Sequence, residues 1–319
     1  MSFFVNIGLG SVSISLKEIF LTIIGHQENY IIQHYRLPKA FTAVLAGSGL
    51  GISGLLMQTL FRNPLAGPFV LGISSGASLG VAIVILGSSL MGGFLATVFI
   101  SKWSIVIAAS LGSFIVLLAV MIVAAKIRDT MAILIIGLMF GSITAALVSV
   151  LSYFSSAELI QQYVFWGFGN LGNLTWYEVV IFFSIYAVGI VLSMMSMKNL
   201  NTLLLGENYA KSLGLNVKKS RFIIIIATCL LAGSVTAFAG PIAFIGLAVP
   251  HIARQIFNTS NHKILLPSVF IIGSIVMLIC DSISQLPSSD YTLPINAITS
   301  LFGAPVVIWL LLRKRKMVF

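Results

Sequence analysis

The sequence predicts an all-α polytopic membrane protein, on three observations. Hydrophobic residues fill 58% of the 319 positions and charged residues only 8%, where a soluble domain carries about 25% charge. The mean hydropathy is +1.08. Apolar stretches long enough to cross ~30 Å of hydrocarbon, about 20 residues as helix, recur along the chain with short polar connections between them. The 18 Lys and Arg outnumber the 8 Asp and Glu and give a net charge of +10. They are scattered between the apolar stretches, not gathered into one face, so they read as orientation charge toward cytoplasm and anionic lipid, not as a nucleic-acid surface.

Taken in order, the expected spans are 38–61, 67–87, 104–125, 131–154, 177–197, 222–239, 241–257, 264–284 and 294–312. The first carries Ala46, Gly47, Ser48, Gly49, Gly51, Ser53 and Gly54, small residues that let helix backbones approach closely. Arg62-Asn63-Pro64 ends it, and Lys126 with Arg128 separates the third span from the fourth. A polar loop, 198–221, follows the fifth, Gly240-Pro241 breaks the sixth from the seventh, and Arg313-Lys314-Arg315-Lys316 follows the ninth. With that last cluster placed in the cytoplasm and the spans alternating, only Lys17, Arg36, Lys39 and Lys102 among the basic residues fall outside. Residues 1–35 then lie outside too, without the basic start and long apolar run of a signal peptide. Either this tail crosses unaided, or a first span is cut short, with 3–9 as the remnant of its outer end; the second is the expectation, with about 10–15 further apolar residues encoded upstream. Leu45-Ala46-Gly47-Ser48 recurs as Leu231-Ala232-Gly233-Ser234, and Ala66-Gly67-Pro68 as Ala239-Gly240-Pro241. The two copies run in opposite directions in this topology, a weak sign of an inverted repeat.

The candidates for function are the costly polar residues. The run 240–254 places Pro250, His251 and Arg254 straight after residues apolar enough for lipid. In the topology above, Gly240-Pro241 is a break on the outer side, Pro250-His251 a bend in the returning helix, and Arg254 a snorkelling cation near the cytoplasm. The run therefore reads as a bend in the scaffold more than as a cargo site. Asp281 is nearly alone as an in-span carboxylate, so ion-coupling chemistry is sparse and energy is expected from another subunit. The loop 198–221 is the place for that contact. Glu207-Asn208-Tyr209-Ala210-Lys211-Ser212-Leu213 reads as a short helix with its acid in the first turn and Gly214 as its left-handed stop. Ala210 and Leu213 are expected on one face, Leu205 and Tyr209 at its edge; the alternative is a helix lying on the membrane. Arg36 and Lys39 sit at the outer mouth, ready for headgroups or for acidic residues of a delivery protein. Cys229 and Cys280 lack metal-ligand spacing and read as small core residues. His251 has no neighbouring ligands in sequence, which disfavours a membrane metalloenzyme.

Several segments together resemble the permease subunit of the ABC importers for iron chelates, haem and vitamin B12. They are Arg36-Leu37-Pro38-Lys39, Ser53-Gly54-Leu55-Leu56-Met57-Gln58, and Arg62-Asn63-Pro64-Leu65-Ala66-Gly67-Pro68 with Leu71-Gly72 and Gly76-Ala77. Leu205-Gly206-Glu207 with Leu213-Gly214, the run 240–254 and Gly303-Ala304-Pro305 complete the set, in family order. The resemblance implies a ten-span type II ABC importer permease fold, here with about nine complete spans, forming one transmembrane domain over 1–319. It implies a second copy or a paralogue as partner, with the path between them. It also implies two ATPase subunits gripping the loop 198–221 through Leu205, Gly206, Glu207, Ala210, Leu213 and Gly214, with ATP and Mg bound by them and no cofactor on this chain. A periplasmic or lipoprotein binding protein would dock at Arg36 and Lys39. The family's cytoplasmic gate matches Asp129-Thr130, while Gln58, Arg62, Asn63, Pro64, Gly240, Pro250, His251 and Arg254 are signature positions. The expected location is the bacterial cytoplasmic (inner) membrane, and the expected role is transport, not catalysis. The chain departs from the family at Thr292-Leu293-Pro294-Ile295-Asn296, which lacks an acid and a glycine common there, and at Gln285, where some members carry a docking arginine. The absence of a Walker motif fits a division of labour with separate ATPases; an ion-coupled carrier or channel is the rival class.

Overall fold

A computed structural model describes residues 1–10, 14–90, 101–124, 130–285 and 292–312. Two short helices open the chain, α1 (Ser2–Gly8) and α2 (Leu16–Ile24). A π-helical turn, Ile32–Arg36, runs directly into α3 (Leu37–Leu60), followed by α4 (Ile73–Ile85), α5 (Lys102–Ala124) and α6 (Thr130–Tyr153). Then come α7 (Ala157–Gly167), α8 (Trp176–Met195), α9 (Met197–Leu204) and α10 (Glu207–Ser212). The last part holds α11 (Val217–Thr228), a π-helical turn Cys229–Gly233, α12 (Ser234–Ala239), α13 (Ile245–Phe257), α14 (His262–Ser284) and α15 (Ile295–Leu312).

Six stretches among the described residues are long and apolar enough to cross a membrane: Ile32–Leu60, Lys102–Val123, Ile135–Tyr153, Trp176–Met195, Val217–Ala239 and His262–Ser284. Each of the nine expected stretches contains a helix, but two of those helices have only 13 residues, α4 and α13. About 20 Å of helix is shorter than the hydrocarbon layer, so these two stretches hold short helices where the sequence predicted full-length ones. The cause is local chemistry. Pro68 opens a 3-10 turn that Gly72 closes at φ +78°, and the chain does not become α-helical until residue 73. After Gly240, also at φ +78°, three residues without regular structure, 241–243, pass before α13 starts behind Phe244 at φ +65°. The helix α7 was not expected at all; Glu158, Gln161 and Gln162 make its sequence look like a connection.

The helix α3 is the axis of the molecule, buried over nearly its whole length. Its small residues do what the sequence promised. A Cβ on Gly54 would collide with the Gly246 carbonyl, and a Cβ on Gly47 with the Gly273 carbonyl, so α13 and α14 cross α3 backbone to backbone. Pro250 belongs to the first of these crossings. Having no N–H, it leaves the Gly246 carbonyl, four residues before it, outside the α-helical ladder and turned against α3. Between the glycine contacts Ser48 bonds the Tyr186 hydroxyl of α8 at 2.7 Å.

Candidate functional site

The polar residues gather at the two ends of this bundle. At the end carrying Arg62 and the loop 198–221, the signature positions form one joint. The chain leaves α3 through Arg62 at φ +47°; the Asn63 amide donates to the Gln58 carbonyl at 3.1 Å, and the Asn63 side chain accepts from the Leu65 amide at 2.9 Å. This turn aims the Pro64 carbonyl at His251 Nε2, 2.9 Å away on α13. One turn further along α13, the Arg254 guanidinium donates to Gln58 Oε1 at 2.5 Å, while Gln58 Nε2 donates to the Leu247 carbonyl. Gln58, Asn63, Pro64, His251 and Arg254 therefore lock the end of α3 to α13. The bend expected at Pro250 is a built joint, with buried polar groups satisfied by one another.

The loop that follows α8 projects from this joint. The helix α9 packs inward through Leu200 and Leu203, and Gly206 at φ +103° turns the chain into α10. The far end of α10 is a Schellman motif: Leu215 N donates to the Ala210 carbonyl at 3.0 Å and Gly214 N to Lys211 at 2.9 Å, with Gly214 at φ +82°. Glu207 pairs with Arg221 of α11 at 2.6 Å, which closes the loop on itself. The expected common face of Ala210 and Leu213 is corrected. Ala210 is wholly buried and anchors α10, whereas Leu205, Tyr209 and Leu213 are 60%, 55% and 60% exposed. The outward apolar set is thus Leu205, Tyr209 and Leu213. Beside it lies a cleft of about 620 Å³ lined by Leu60, Arg62, Leu203, Gly206, Glu207 and Tyr209.

Behind the loop is a linkage that the sequence reading missed. Asn201 of α9, His262 at the start of α14 and Thr59 in the last turn of α3 are joined by bonds of 2.7 Å and 2.8 Å. His262 opens a helix, where a polar residue looks like ordinary capping, and Asn201 lies within the polar stretch 198–221. No spacing in the sequence brings either of them to Thr59.

At the opposite end Asp281 is the centre. Its carboxylate takes Lys39 Nζ at 3.2 Å, Asn6 Nδ2 at 2.8 Å and Gln285 Nε2 at 2.7 Å, and the residue is 1% exposed. Arg36 donates to the Ile7 carbonyl at 2.6 Å, so both cations at the mouth hold α1 and α14 to α3. Lys102 pairs with Glu178 at 2.7 Å, the acid that also closes a capping box with Thr175. These groups frame a cavity of about 760 Å³, lined among others by Lys39, Lys102, Trp166, Asn170, Asp281 and Pro294. Asn296, one of the departures from the family pattern, ties its rim. Its Oδ1 accepts from Ala243 N at 3.0 Å, and its own N–H donates to the Phe168 carbonyl at 3.1 Å. Of the gate pair, Thr130 is the first residue of α6 and Asp129 lies outside the described residues.

Known proteins are similar to this chain over most of its length. The chain is 36% identical over 282 residues to the vitamin B12 import system permease protein BtuC of Citrobacter koseri, covering 88% of this chain and 82% of that one. It is 32% identical over 309 residues to the hemin transport system permease protein HmuU of Yersinia pestis, covering 97% and 91%. Among solved structures, one described as an inward-facing conformation of a putative metal-chelate type ABC transporter superposes with a TM-score of 0.84 at 28% identity, over 98% of this chain and 95% of that one. PsaBC from Streptococcus pneumoniae in complex with Fab shares the fold at 16% identity and a TM-score of 0.59, over 92% and 96%. Residues 1–313 match the FecCD transport family, to which this multi-pass membrane chain belongs.

Proposed function

We propose that the chain is the membrane-spanning subunit of an ATP-driven importer for a bulky chelate: a ferric siderophore, haem or, equally well supported by its relatives, vitamin B12. Two copies, or this chain and a paralogue, enclose the path in the inner membrane of a bacterium, with the ten-span permease fold and its inverted repeat. Two ATPase subunits bind the loop 198–221 and carry the ATP and Mg, and a binding protein delivers cargo at the end that bears Arg36 and Lys39. Thr130, with Asp129, belongs to the gate at the ATPase side. One observation carries this reading. A short helix stands out on a Schellman-capped loop with Leu205, Tyr209 and Leu213 exposed, an apolar surface outside the core on a polar stretch of the chain. A partner covers such a surface.

The rival, an ion-coupled carrier, needs an in-span carboxylate free to take up and release its ion. Asp281 is instead neutralised by Lys39 and saturated by Asn6 and Gln285. The experiment is purification in mild detergent from the native membrane. A P-loop ATPase recovered in equal stoichiometry is the expected result, and its loss on Glu207→Ala with Leu213→Ala, while the chain stays in the membrane, assigns the contact to α10. A chain that transports alone in liposomes sinks the proposal.

A further inference from the structure

The coupling loop must act on the helices that form the path, and the linkage behind it offers a route. We infer that His262 is the positioning residue that passes movement of the ATPase-binding loop into α3; the inference rests on the reading of the chain as an ATP-driven permease.

Three elements meet at this one imidazole. On the loop side, Asn201 Oδ1 accepts from the His262 main-chain N–H at 2.9 Å and lies 2.7 Å from Nδ1. Asn201 Nδ2 meanwhile donates to Asn261 Oδ1 at 3.0 Å, and that oxygen also caps the start of α14 through Lys263 N. The amide is therefore oriented with its oxygen toward the ring, and Nδ1 carries the proton. On the α3 side, Nε2 lies 2.8 Å from Thr59 Oγ1. Thr59 and His262 are 0% and 1% exposed, so water does not replace the bond between them.

The proton count makes the contact bistable. Neutral His262 accepts at Nε2, and the Thr59 hydroxyl has one proton for two acceptors, Nε2 and the Leu55 carbonyl at 2.9 Å. When α9 draws the ring away, the proton swings to Leu55 within α3; when the ring returns, the hydroxyl bridges the two helices. The hydroxyl is satisfied in either arrangement, whereas the buried Nε2 has a donor only when the ring is seated, so the contact has two discrete states of unequal energy that movement of the loop selects between. The neighbouring lock of Gln58, Arg254, His251 and Pro64 holds the same end of α3 to α13, so a shift of the last turn of α3 moves the helices it crosses.

The test uses the full assembly with its ATPase in nanodiscs, with Cys229→Ala and Cys280→Ala. Phe165→Cys, on the lining of the cavity at the far end, is the reporter for an impermeant maleimide, read without nucleotide and after trapping with ATP and vanadate. The expected result is a labelling rate that changes at least fivefold on trapping in this parent, less than twofold with Thr59→Val, and fully again with Thr59→Ser. His262→Asn, which still reaches Asn201 but not Thr59, serves as a second variant with the same expected loss. Assembly with the ATPase, followed by cross-linking from Leu213→Cys, is expected to persist in all of them. An unchanged fivefold response in Thr59→Val and His262→Asn overturns the linkage alone. The absence of any nucleotide response in the parent overturns the functional reading and the linkage with it.

Discussion

Asp281 shows how much a single residue changes meaning between sequence and structure. As a lone acid in an apolar helix it invites an ion-binding role; in place it is the hub that joins α1, α3 and α14 through Asn6, Lys39 and Gln285. Removing one partner of a buried pair costs about 3–5 kcal/mol, and replacing both by apolar groups costs far less. Lys39→Met is therefore expected to lower the thermal midpoint of the detergent-solubilised chain strongly, and Lys39→Met with Asp281→Leu to recover most of it, as a double-mutant cycle in a fluorescence melt will show. Asn296→Gly removes the tie between Ala243 and α15 and is expected to cost about 1 kcal/mol in the same melt. The cost of His251 and Arg254 in an apolar run was legible in the sequence. Their partners were not, because Pro64 and Gln58 lie almost 200 positions away, beyond the reach of any local pattern.

Among the elements, α3 and α10 carry the account. The small-residue stripe of α3 predicted close packing, and Gly54 supplies its sharpest test. Gly54→Ala drives a methyl group into the Gly246 carbonyl, so α13 must move off α3. The expected outcome is a loss of about 1–3 kcal/mol, measured as a fall in thermal midpoint, whereas Gly25→Ala, at a turn with open space, pays only backbone strain. For α10 the expectation is opposite. Glu207–Arg221 is a part-exposed pair worth about 0–1 kcal/mol, and Leu213 is outside the core, so Glu207→Ala with Leu213→Ala is expected to leave the melt nearly unchanged while abolishing the ATPase contact. Helices were legible wherever an apolar run exceeded a span. Their lengths were not, because Gly72, Gly240 and Phe244 take positive φ and delay the restart of the helix after each proline. The helix α7 escaped because hydropathy does not distinguish a polar helix from a loop.

Across the whole molecule, the projecting loop at one end, the aromatic-lined cavity at the other and the axial helix between them make a body with two differently built faces. One face presents Leu205, Tyr209 and Leu213 to water; the other spends its charges internally, Lys39 on Asp281 and Lys102 on Glu178. In the proposed reading, such a chain takes its energy from a subunit bound to the first face. The direct measurement is the stoichiometry of P-loop ATPase recovered with the chain from native membranes, before and after Glu207→Ala with Leu213→Ala. Equal stoichiometry that disappears in the double variant is the predicted result; a chain recovered alone, still moving cargo in liposomes without ATP, would contradict the account.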